Sequence, residues 1–187
     1  MYISNPSESA DRAGALAARS RVAGHRKPGR ARRAPRWSNT LLALFLPLLQ
    51  PDASGRDLTW EKLQRHPDLT PRRFARLFSA FKYQYHAARQ APEVFLATRT
   101  GDCDDYARLA AKVLRQHGYT TKLVLVRLPE EAHMVCYVAE TRSYLDYNNR
   151  QYLIPTVSAN DSLTEIAAKV ARSFDSPWIS VAESPGD

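Results

Sequence analysis

Cysteine is scarce in this sequence: Cys103 and Cys136 are the only two in 187 residues. Two cysteines make no disulfide framework, and neither belongs to a CxxC pair from which a structural zinc site could be built. Long apolar runs are missing as well. The best candidate, Leu41-Leu42-Ala43-Leu44-Phe45-Leu46-Pro47-Leu48-Leu49, is too short to span a bilayer comfortably, so no stable membrane span is expected. There is no internal repeat and no low-complexity tract, which sets aside solenoids and other repeat architectures. The chain also lacks an even spread of basic charge. Residues 1–55 hold nine Lys and Arg against three Asp and Glu, whereas residues 56–187 hold 18 against 16. The overall charge of +8 is therefore mainly a property of the first 55 residues, and nucleic acid is not an expected partner.

What is present begins with that basic leader. Arg30, Arg32, Arg33 and Arg36 precede the apolar run, and Ala53-Ser54-Gly55 supplies small residues for cleavage before Arg56. Basic residues, a short apolar core and a small-residue site are the parts of an export signal, so a periplasmic or extracellular location is expected. Residues 1–29 are polar, arginine-rich and longer than an ordinary signal needs; a short buried helix or an uncleaved anchor is the plainer alternative for the apolar run. The division is thus a leader over 1–55 and one domain over 56–187, long enough for a real core with 44% hydrophobic residues in the chain.

The domain is organised around Thr100-Gly101-Asp102-Cys103-Asp104-Asp105-Tyr106-Ala107. From Asp104 to His117 there is no Pro or Gly, and Gly118 is a natural stop, which predicts a helix. Cys103, Ala107, Ala110 and Leu114 share one face; Tyr106, Leu109 and Val113 make a second; only Arg108, Lys112 and Arg115 form a charged stripe. Most of this helix should be inside the protein. Asp102, Asp104 and Asp105 lie at its positive end, and a thiol at such an N-terminus loses its proton more readily than in water. Further helices are expected over 59–64, 71 to about 86, 92–97 and 163–174, with a turn over 98–101. Strands are expected over 120–128, 132–140 and 143–147, with a tight turn at Thr141-Arg142, and an edge strand over 178–181. Helices first and an antiparallel sheet after them make the fold class α+β.

A cysteine nucleophile needs a base close enough to take its proton and a third group to orient that base. His133 falls on one expected strand and Asp146 on the next, where antiparallel pairing makes them neighbours; the sheet, packed on the cysteine helix, brings the imidazole to Cys103. Strand alternation turns Cys136 away from His133 and into the core, which also disfavours a zinc site from Cys103, His133 and Cys136. For an oxyanion hole the candidates are the backbone N–H of Cys103 and Gln84. Each residue also has a plainer role: Cys103 as a small buried hydrophobe, His133 as a core histidine, Asp146 as the cap of a turn into Asn148-Asn149, and the acidic trio as partners of the helix dipole.

Gly-Asp-Cys-Asp-Asp-Tyr-Ala at 101–107, His133 before an apolar strand and Leu145-Asp146 in the next resemble the transglutaminase-like superfamily, and among its branches the bacterial transglutaminase-like cysteine proteinases. The resemblance covers about residues 90–150. It implies a papain-like fold with helices on a small antiparallel sheet, and a Cys103–His133–Asp146 triad. That triad would carry acyl transfer on a protein or peptide substrate, ending on water or on an amine. No cofactor is required by that chemistry, although acidic residues beside the cysteine bind calcium in some exported members, and Asp102, Asp104 and Asp105 occupy the corresponding positions. A related, non-catalytic domain that binds a peptide or protein partner is the alternative.

Overall fold

Side-chain caps and prolines decide where the helices begin. In the computed structural model, which describes residues 2–4 and 58–185, Thr59 and Thr70 each accept a backbone N–H from three residues further on. They thereby open α1 (Trp60–Arg65) and α2 (Pro71–Leu77). Pro92 starts α3 (Pro92–Thr98), Asp102 caps α4 (Cys103–Gln116) and Ser162 caps α5 (Leu163–Ser173). The main sheet has six strands in the order β1 (Tyr2–Ser4), β8 (Ser180–Ser184), β4 (Thr121–Arg127), β5 (Ala132–Val138), β6 (Ser143–Leu145) and β7 (Thr156–Ser158). All of its neighbouring pairs are antiparallel. A separate two-residue ladder pairs β2 (Lys82–Tyr83) in parallel with β3 (Thr100–Gly101).

Each face of the sheet has its own core. On one side Phe74, Phe78, Phe95, Tyr106 and Val113 pack with Leu123, Met134, Cys136 and Leu145. On the other, Ile166 and Val170 of α5 pack with Val124, Val135, Tyr137 and Tyr144. Alternate residues of β5 therefore serve opposite cores, as the pleat requires. All three expected apolar positions of the second α4 face and all four of the first are buried. The α+β class expected from the sequence is what forms, with α5 covering the sheet face that α4 leaves open.

Two expectations need correction. The helix expected from 71 to about 86 ends at Leu77. Phe74, Phe78 and Phe81 stay in the core, with ring centroids 4.8 and 4.7 Å apart in sequence order. The backbone beyond them is diverted instead: the N–H groups of Lys82 and Gln84 donate to the carbonyls of Arg99 and Gly101 at 2.9 and 2.8 Å. The segment expected as an edge strand over 178–181 is β8, which lies between β1 and β4 inside the sheet. Its register with β1 sets Tyr2, Ile3 and Ser4 opposite Ala182, Val181 and Ser180. That strand is contributed from the opposite end of the chain.

The chain divides into two units, residues 1–8 with 54–187 and residues 9–53. The second unit, the apolar run over 41–49 and the expected cleavage site at Ala53-Ser54-Gly55 lie outside the described residues. Among the described residues no helix is long and apolar enough to cross a membrane.

Candidate functional site

The N-terminus of α4 is held by a closed set of hydrogen bonds. Asp102 Oδ1 accepts the N–H groups of Asp104 and Asp105 at 3.1 and 3.3 Å, and Asp105 Oδ2 accepts the N–H of Asp102 at 3.3 Å, which completes a capping box. The upstream loop is tied to the same carboxylates. His86 N–H donates to Asp102 Oδ2 at 3.2 Å, Gln90 N–H to Asp105 Oδ1 at 2.9 Å, and the Gln90 side-chain amide to Asp105 Oδ2 at 2.8 Å. Asp104 is paired instead with Arg108, one turn on, and with Arg89 at 3.7 Å. The acidic trio thus aims Cys103 by fixing the first turn of its helix and the loop before it.

As arranged, these residues do not fit a calcium ion. Both oxygens of Asp102 and both of Asp105 face N–H donors, and Asp104 already faces two guanidinium groups, which supply the positive charge that a cation would bring. Among the described residues no group of three or more His, Cys, Asp or Glu side chains could hold a metal.

His133 is the second residue of β5 and Asp146 follows β6, so antiparallel pairing sets both at the same end of the sheet. The imidazole Nε2 and Asp146 Oδ1 are 2.9 Å apart, with both side chains almost fully buried. Asp146 Oδ1 also accepts the N–H of Asn148 at 2.8 Å. The carboxylate is therefore a turn cap and an imidazole partner at once. Phe174, which closes α5, meets the other side of the ring edge-on at a centroid distance of 4.9 Å.

Cys103 is the second side chain that interacts with this imidazole. Burial opposes a charge on His133, but hydrogen bonding to Asp146 and Cys103 and their negative charge outweigh it, raising the group from its ordinary 6.5 to about 10. The sheet face that packs on α4 carries Met134, Cys136 and Val138, not His133. Imidazole and sulfur meet at the end of the sheet, where α4 begins, rather than across its face. Cys136 is fully buried in the α4 core, and burial pushes its thiol up to about 12.

Gln84 is exposed and runs beside Gly101, two residues before Cys103; its N–H is taken by the Gly101 carbonyl, so the side-chain amide is the group it has to offer. Tyr83 is a neighbour that sequence reasoning missed. Partial burial and the charges of Cys103 and Asp102 raise its phenol pKa, and its pairing with Gly101 sets it beside the strand that leads into Cys103. Gln90 and His86 were missed too, because only the fold brings the 82–90 loop against the capping box. A cavity of about 200 Å³ lies along the outer side of α4, lined by Arg89, Phe95, Arg108, Lys112 and Arg115 among others; none of Cys103, His133 or Asp146 lines it.

A family model described as the transglutaminase-like superfamily matches residues 65–171, more than half of the chain. No curated protein matches the sequence. The matched span begins in α1, ends in α5 and contains Cys103, His133 and Asp146 with the elements that carry them, and on that footing the chain belongs to the transglutaminase-like superfamily.

Proposed function

We propose that this protein is a thiol acyl-transfer enzyme acting on amides, in its simplest form a cysteine peptidase, with Cys103 as nucleophile, His133 as acid and base, and Asp146 as the group that orients the imidazole. One observation carries the reading: a buried histidine clamped by a buried carboxylate also interacts with a cysteine at a helix N-terminus, and both neighbours favour its protonated form. Superfamily membership supports it, since acyl transfer through cysteine is the usual chemistry of that superfamily.

The reacting form of the pair is then thiolate and imidazolium. With Nε2 engaged by Asp146, Nδ1 is the nitrogen that serves the sulfur. Sγ attacks the amide carbonyl, and negative charge moves onto its oxygen. Cys103 opens α4, so its N–H is among the first-turn donors that the helix does not itself use, and it faces that oxyanion with Gln84 as the second donor. Collapse breaks the C–N bond as His133 gives its proton to the leaving nitrogen, which leaves a thioester. The sulfur's negative charge is now gone, and with it one cause of the raised His133 pKa. The imidazole therefore becomes a better acceptor at the step that needs a base, taking a proton from water or an amine as the thioester is cleaved. The thiolate and imidazolium are restored.

The test is a proteome-wide profile of new peptide N-termini made by the full chain against its Cys103→Ala variant, run with and without a labelled primary amine. Cleavage seen only with the native chain supports a peptidase. Label incorporation without cleavage moves the reading to amide transfer, and neither product overturns it in favour of a binding domain.

A further inference from the structure

The large apolar side chains that this domain leaves exposed are not scattered. Among the described residues seven stand out, and five of them fall in two short segments: Tyr83 and Tyr85, and Tyr152, Leu153 and Ile154. Leu153 is 82% exposed and Tyr85 73%. One turn joins the two segments. The Tyr147 ring lies 6.3 Å from that of Tyr83, and the Tyr147 hydroxyl donates to the Lys82 carbonyl at 2.9 Å. Arg150 Nε donates to the Phe81 carbonyl at 2.9 Å, and the N–H of Tyr152 donates back to Asn149 at 3.0 Å. The same turn starts at Asp146, and Tyr83 is paired with Gly101, two residues before Cys103. The two exposed segments therefore flank the turn and the β2–β3 ladder that lead to the two arms of the candidate site.

We infer that residues 83–85 and 152–154 form the substrate shelf of the site, and that it takes an extended peptide whose side chains beside the reacting amide are apolar rather than acidic. Clustered exposed hydrophobic groups on a monomer mark a binding surface, because water around them is released when a partner covers them. An extended peptide offers apolar side chains at intervals with its backbone amide held between them, which is the geometry a thiol at the margin of such a shelf requires. Tyr83 adds a flat, half-exposed ring on the strand paired with Gly101, two residues before the thiol. The inference rests on the thiol reading proposed above and adds what that reading leaves open, the class of side chain selected.

The experiment uses the full chain and needs no known substrate. Two peptidyl chloromethyl ketones, one with leucine and one with aspartate before the warhead, compete to alkylate Cys103, and iodoacetamide gives the reference rate; all three are followed by mass spectrometry. The leucine reagent should react at least about tenfold faster than the aspartate one. Leu153→Ser with Ile154→Ser should bring that ratio towards one while leaving the iodoacetamide rate unchanged; Tyr83→Ala, with each peptide rate taken relative to that variant's own iodoacetamide rate, should lower the ratio too, and Tyr83→Phe should keep the native ratio. Equal rates for the two peptides on a Cys103 that iodoacetamide labels readily overturn the shelf and leave the thiol reading standing. A Cys103 that iodoacetamide labels no faster than Cys136 overturns the thiol reading and the shelf with it.

Discussion

Cys103 and Cys136 lie in the same core, yet their surroundings are opposite in chemistry. Cys103 keeps 9% of its surface exposed and has His133 as a partner, while Cys136 is sealed among apolar side chains with its thiol pushed up to about 12. At pH 7, well below the ordinary thiol range near 8.5, iodoacetamide should label Cys103 and leave Cys136 unmodified, as peptide mass spectrometry will register. His133→Ala should slow that labelling by removing the positive partner. Asp146→Asn should slow it less, because the amide oxygen still caps the turn and still faces Nε2 but brings no charge. The same pair has a stability signature. A histidine whose folded pKa is raised from 6.5 to about 10 contributes stability that is complete below 6.5 and fades as pH rises through 10. The melting temperature of the native chain should fall across that window, and Asp146→Asn should flatten the fall. A flat native curve would mean that the imidazole is not held protonated.

At the scale of elements, the site depends on how tightly α3, β3 and α4 approach one another. A Cβ on Gly101 would lie 2.6 Å from Phe95 Cδ2 and Cε2 and 2.9 Å from Asp105 Oδ2, so the position is closed to any side chain. Gly101→Ala should cost on the order of 1–3 kcal/mol through overpacking. The strain would fall on the ring and carboxylate that hold the cysteine turn, so Cys103 labelling should slow along with the drop in melting temperature. Adding Phe95→Leu should recover part of both. The capping box makes a second prediction. Because Asp102, Asp104 and Asp105 are occupied by backbone donors, Gln90 and two arginines, millimolar calcium or a chelator should leave the melting curve unmoved. Asp102→Ala should instead lower stability by about 0.5–2 kcal/mol, the range for loss of an N-cap. A calcium-dependent rise in melting temperature that Asp104→Ala abolishes would overturn this account of the trio.

For the whole molecule, the two ends of the chain meet in one sheet. Tyr2, Ile3 and Ser4 pair with Ala182, Val181 and Ser180, so β8 is an interior strand only while β1 is present. The proposal of export carries a testable consequence here. Protein recovered from its native host should begin near Arg56 by intact-mass measurement, and β8 would then become an open edge unless the leader stays bound. An intact Met1 in a soluble cytoplasmic fraction would remove the export reading and leave β1 as a fixed part of the domain.

The amino-acid sequence by itself determined the elements whose signals are local. α4 was legible because acidic residues at its start, fourteen residues without Pro or Gly and two apolar faces all occur within one stretch of chain. β4, β5 and β6 were legible through their β-branched and aromatic residues, and with them the meeting of His133 and Asp146, since a hairpin converts sequence spacing into contact. Tertiary structure alone decided the rest. After residue 77 the N–H groups of Phe78, Ser79 and Phe81 turn back to carbonyls three residues earlier, and those of Lys82 and Gln84 then go to Arg99 and Gly101, contacts made across about 17 residues of chain. β1, β2, β3 and β7 are only two or three residues long, too short for any periodicity to register, and they exist because a partner strand is already in place. Tyr83, His86 and Gln90 carry no motif; they belong to the site because the fold lays their loop against the capping box. Local propensity acts between neighbours in sequence, whereas these residues owe their positions to hydrogen bonds and packing between distant segments, whose entropic cost of closure is met only when the whole core forms.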